Sequence, residues 1–135
     1  VAMRKISFRA WDIVDKKMYN NAIDNCKDSF DMILKHPQIY KVMQFTGFRD
    51  DNCVEACEGD LIPYVFNNEK LGVVKYGNYK NICDDEFTDH IGFYIEWQNE
   101  ELKSMVRIDL GYWLKVSSIV GNIYENPELL KNKEV

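Results

Sequence analysis

Apolar side chains recur at every second position along Ile6, Phe8 and Ala10, and again along Phe93, Ile95 and Trp97. A two-residue period puts each set on one face of a pleated strand, so the chain is restricted to folds in which short, half-buried strands share a core. The segments between these runs are rich in Asn, Asp, Glu and Gly. Such punctuation turns a strand back on itself and leaves no room for a regular strand-helix alternation.

Read along the chain, residues 4–23 are expected to form a hairpin turning at Asp15-Lys16-Lys17, and Asp28 to Leu34 a short helix stopped by Pro37. Ile39 to Phe45 has strand propensity and ends at Thr46-Gly47, and residues 49–60 read as a charged loop closing in a tight turn at Glu58-Gly59-Asp60. Leu61 to Phe66 and Leu71 to Tyr76 are expected strands joined by a hairpin loop at 67–70, with Gly72 permitting a close approach or a bulge. Gly77 to His90 is an acidic surface loop. Ile91 to Trp97 and Met105 to Leu110 are read as a hairpin turning at Asn99-Glu100-Glu101, Lys115 to Tyr124 as a closing strand, and Asn126 to Leu130 as a short capped helix. The expected fold is mostly β, an antiparallel sheet or small SH3-like barrel with one or two short helices, and residues 1–135 read as a single domain. Met3 directly precedes the patterned run, so Val1 and Ala2 are taken to lie outside the natural start.

Composition narrows the function. No stretch approaches the roughly 18 apolar residues of a membrane span, and no secretory pattern opens the chain, so it is expected in the cytoplasm with no membrane partner. Cys26, Cys53, Cys57 and Cys83 are then expected as free thiols rather than a disulfide framework. Their spacing, with His36 and His90 isolated, lacks the two close pairs of a structural zinc site, and the acidic residues of 77–90 lack the spacing of a calcium loop, so no metal or other cofactor is expected. No nucleophile-base pair, phosphate cradle or dinucleotide fingerprint is recognisable, which argues against an enzyme. Small barrels can stack bases on aromatics, but 17 Lys and Arg stand against 22 Asp and Glu. That balance gives phosphate binding little help unless Arg4, Lys5, Arg9, Lys16 and Lys17 gather on one face, and Phe8, Trp11, Phe45, Phe93 and Trp97 are read as core.

Three segments in series resemble the YopX family of phage and prophage proteins. They are Arg4-Lys5-Ile6-Ser7-Phe8-Arg9-Ala10-Trp11-Asp12, then Met43-Gln44-Phe45-Thr46-Gly47-Phe48-Arg49-Asp50 with Glu58-Gly59-Asp60-Leu61, and finally Val120-Gly121-Asn122-Ile123-Tyr124-Glu125-Asn126-Pro127-Glu128-Leu129-Leu130. Where the family commonly runs Asn-Gly-Lys-Glu-Ile-Tyr before Glu-Gly-Asp, this chain has Asn52-Cys53-Val54-Glu55-Ala56-Cys57, so neither cysteine falls where the family reserves one. The resemblance implies a phage-derived, largely β, self-associating protein and carries no activity to transfer.

Within those segments Arg9, Trp11, Asp12, Arg49 and Asp60 are the candidate binding positions. The four charged ones are expected to form a buried ion-pair cluster that locks turns to strands, with ligand binding as the alternative role. The function expected is that of a phage or prophage accessory protein acting by contact, with a host or phage protein or with copies of itself. The alternative is a weak nucleic-acid binder.

Overall fold

The computed structural model describes residues 4–130, so the reading of Val1 and Ala2 lies outside the described residues. Alternation builds the first sheet from Phe8 on, Ile6 lying exposed ahead of it: β1 (Phe8–Asp12) pairs antiparallel with β2 (Lys17–Tyr19) and with β3 (Tyr40–Arg49), and β3 pairs with β4 (Glu55–Cys57), giving the order β2-β1-β3-β4. The β1–β2 turn is held by Asp12, whose Oδ1 accepts from the backbone N–H groups of Val14 and Asp15 at 2.9 and 3.0 Å. Helices α1 (Ala22–Asn25) and α2 (Phe30–Lys35) follow β2, and Ser29 caps α2 by accepting from the Met32 N–H. Their buried residues Ala22 and Ile33 meet Ala10, Tyr19 and Tyr40 in one apolar cluster.

The second sheet has the order β7-β6-β5-β8, from β5 (Asp60–Tyr64), β6 (Asn67–Tyr79), β7 (His90–Trp97) and β8 (Gly121–Asn122). Helices α3 (Glu100–Met105) and α4 (Leu110–Leu114) cover one face of it. They close a second cluster in which Trp97 and Trp113 meet edge to face at 5.6 Å, with Tyr64 against both rings. Among the described residues the protein is thus mostly β, two antiparallel sheets of which one curls into a half-barrel, with four short helices.

Four helices rather than one or two reflect signals that serve either structure. Asn99-Glu100-Glu101 was expected to turn a hairpin; instead Asn99 Oδ1 accepts from the N–H groups of Glu101 and Leu102 and starts α3. Of the expected strand 105–110 only a bridge between Tyr94 and Asp109 remains, because Leu110, Trp113 and Leu114 fall on one helical face and are all buried. The strand expected over 115–124 shrinks to β8, and α1 occupies the end of the expected 4–23 hairpin. The loop read at 67–70 is part of β6: the turn lies at Val65-Phe66, and a bulge absorbs residues 68–70 while Asn67 Oδ1 accepts from the Glu69 N–H. Residues 49–60 contain β4 and are not wholly loop. The terminal turn is a single 3-10 turn, Pro127–Leu130, and Asn126 spends its side chain on the Asn122 N–H instead of capping it.

Pro63 sits inside β5 without breaking the sheet. Leu61 accepts from the Val120 N–H on the side of β5 away from β6, and Pro63, two residues on, directs its missing donor to that same side, beyond the end of β8. Gly72 has a different task. A Cβ there would lie 2.3 Å from Ile95 Cγ2 and 2.9 Å from Trp97 Cε3, so the bare backbone is what lets those two core side chains lie flat on β6. Gly72→Ala is expected to lower unfolding stability by about 1–3 kcal/mol in denaturant titration, with the overpacked core as the cause.

Candidate functional site

Parts of all three family-like segments, Arg9 and Trp11, the Glu58-Gly59-Asp60 turn, and Ile123 with Tyr124, converge on the seam between the two sheets. Arg9 and Trp11 alternate with Ala10 and Asp12, so they leave the first core and face the turn that carries the chain from β4 to β5. Arg9 Nη2 donates to Asp60 Oδ1 at 2.5 Å and to the Glu58 carbonyl at 3.1 Å. The other oxygen of Asp60 accepts from the Cys57 N–H at 2.8 Å, and Glu58 Oε1 accepts from the Gln44 N–H at 2.9 Å. Gly59 takes φ of 85°, a conformation that costs any L side chain, and donates its N–H to the Val74 carbonyl. Trp11 stacks on Tyr124 with ring centroids 6.1 Å apart, and Met43 and Ile123 lie against Gly59. A shallow cleft of about 220 Å³ opens beside this seam, lined among others by Met43, Gly59, Val74, Tyr76, Ile123 and Tyr124.

The expected single cluster of four charged residues is not what forms. Arg9 and Asp60 pair, with side chains 12% and 2% exposed. Asp12, fully buried, belongs to the β1–β2 turn and meets Lys27 at 3.2 Å, while Arg49 lies on the exposed end of β3 and meets Glu55 at 3.0 Å. The reason is pleating: Asp12 points to the opposite face from Arg9, and Arg49 lies four residues past Phe45 across an irregular stretch of β3. These environments push the carboxyls in opposite directions. Burial raises Asp60 above its ordinary range against the pull of Arg9 and the Cys57 N–H. The Asp15 N–H, with Lys27, lowers Asp12, and Lys5, with Arg49, lowers Glu55.

Asp50 was missed by the sequence reading, which named its neighbour Arg49. Buried, it accepts from the N–H groups of Asn52 and Val54 with Oδ1 and from the Ile119 N–H with Oδ2, tying the β3–β4 turn to the segment before β8. The run Asp50-Asp51-Asn52 carried the signal, since an Asp that opens a turn bonds the backbone two residues on.

The histidines are far apart in the fold: His36 ends α2, and His90 opens β7, where its Nε2 lies 3.0 Å from Asp84 Oδ2 and its ring stacks on Tyr79. The four cysteines are unbridged, and burial pushes the Cys57 thiol up to about 11, which keeps it protonated and unreactive at neutral pH. Among the described residues no group of three or more His, Cys, Asp or Glu is placed to hold a metal ion, and no helix is long and apolar enough to cross a membrane.

Replacing Arg9 tests the seam. Arg9→Met leaves Asp60 buried without its cation and is expected to cost about 3–5 kcal/mol, while Arg9→Met with Asp60→Asn, which keeps an acceptor for the Cys57 N–H, recovers part of that loss. An acid whose folded pKa is raised is penalised at pH above it and relieved as it takes up a proton. The deficit of Arg9→Met relative to the unmutated chain is therefore expected to shrink as pH falls toward the range where Asp60 protonates, read from denaturant midpoints at several pH values.

Comparison with known proteins gives a family model described as YopX protein, which matches residues 7–131. No curated protein matches. Among solved structures, the crystal structure of protein EF1440 from Enterococcus faecalis is similar at 21% identity, over 96% of this chain and 100% of that one, with a TM-score of 0.48.

Proposed function

The chain belongs to the YopX family, and on that footing we propose that it acts by contact, as a protein-binding or self-assembling accessory module of a phage or prophage, in the cytoplasm of the bacterial host and without catalysis. The observation that carries the reading is the hairpin of β6 and β7, which reaches past the end of β5. Its apolar face continues outward from buried Val74 and Ile95 to Tyr76, Phe93 and Ile91, of which Tyr76 is 57% and Ile91 73% exposed. Apolar side chains grouped at a sheet end are the material of protein contacts.

The charged candidates support the same reading from the other side. Arg9 is spent on Asp60, Lys5 on Glu55 and Arg49 on Glu55, so three cations of the family-like segments already have carboxylate partners. This also weakens the nucleic-acid alternative, which needed Lys5 and Arg9 free for phosphate. Sedimentation velocity from low micromolar to near-millimolar protein is expected to show reversible association. A strict monomer throughout that range, or a shift of DNA mobility that fades with salt, would count against the proposal.

A further inference from the structure

The β6 strand offers more than an apolar face: it has an open edge. The Gly59 N–H bonds the Val74 carbonyl on the side of β6 away from β7, and β5 pairs with β6 no further than Val73. Because backbone direction alternates, Tyr76 and Asn78 turn their N–H and C=O groups to that same side, and among the described residues no strand pairs with them there. Lys75, Gly77 and Tyr79 turn theirs inward to Tyr94, Gly92 and His90. The free stretch is therefore five residues, Lys75 to Tyr79, with Gly77 at its centre.

We infer that this edge pairs antiparallel with the same edge of a second copy, about a two-fold axis at Gly77, making a continuous β7-β6-β6-β7 sheet. The inference rests on the assembly reading above and names its surface. In that register Tyr76 faces the partner's Asn78 and Asn78 faces the partner's Tyr76, so the four outward backbone groups of each copy are all met. Gly77 opposite its own copy presents no side chain, and a Cβ built there meets only Tyr94, at 3.9 Å.

Charge picks out a second copy as the occupant. Lys75, at one end of the edge, would stand opposite the partner's Tyr79 at the other. The Tyr79 end is anionic: the loop that follows carries Asp84, Asp85, Glu86 and Asp89 against Lys80, while nearby Asp109 is matched by Arg107 at 2.6 Å and Asp84 lies 3.0 Å from His90. Lys75 is 45% exposed and held by Glu96 at 3.4 Å, loosely enough to be shared. A two-fold axis makes this match twice.

Asn78→Pro is the test, since it removes an N–H that points away from β7 and leaves the intramolecular ladder whole. The unmutated chain is expected to sediment as a dimer and Asn78→Pro as a monomer with the same circular dichroism, while Lys75→Glu weakens the dissociation constant about tenfold. In the unmutated dimer the amides of Tyr76 and Asn78 are expected to become protected from hydrogen exchange as concentration rises, which settles the matter if Asn78→Pro fails to fold. Association that is insensitive to Asn78→Pro and Lys75→Glu, with those amides unprotected, overturns this inference and leaves the assembly reading intact. A strict monomer overturns both.

Discussion

The two sheets meet along one seam, and its most constrained contact is a largely buried guanidinium, which acts beside the Gly59–Val74 hydrogen bond and beside Ala56 of β4, packed into the second core. Arg9 reaches from β1 in one sheet to the first residue of β5 in the other and bonds both Asp60 and the Glu58 carbonyl. A carboxylate as buried as that of Asp60 is tolerable only with such a partner, so the pair holds β1 against the start of β5. Gly59 then supplies the backbone conformation that no other residue adopts without strain, and Trp11 on Tyr124 closes the seam with the C-terminal segment. Breaking such a pair costs more than the pair contributes in net terms, because the carboxylate left behind stays buried and charged.

This explains why the family-like segments lie so far apart along the chain and so close in space. The first contributes Arg9 and Trp11, the second Gln44 and the Glu58-Gly59-Asp60 turn, and the third Ile123 and Tyr124. Each piece is short and unremarkable alone because it carries only one side of the junction. A resemblance made of such pieces announces the way two sheets are joined, with Arg9 and Asp60 turned inward on one another at the junction.

The sequence made the β character legible because period-two alternation survives in β1 and β7, whose faces are unequally buried. It also disclosed α2, where Ser29 and Pro37 bracket the helix, and the turn at Glu58-Gly59-Asp60. What it concealed has physical causes. Asn99 with two glutamates is as good an N-cap as a turn, and only the burial of Leu102 beneath β7 decides between them. Residues 67–70 are polar because they bulge at an exposed strand end, and polarity there mimics a loop. Of the candidate site, the pairing of Arg9 with Asp60 was within reach, but the separation of Asp12 and Arg49 from it depends on which way each pleat points in three dimensions. Asp50 escaped because its partner, the Ile119 N–H, is a backbone group far along the chain and leaves no mark on composition.

The seam also orders events in time. Arg9 meets Asp60 across 51 residues, and Trp11 waits for Tyr124, which follows much later still. During synthesis the first sheet and the Arg9–Asp60 pair can form as soon as Asp60 has emerged, whereas Trp11 waits for Tyr124. Closure of the seam thus ends with the docking of one aromatic ring on another, the contact in it that spans the longest loop of chain.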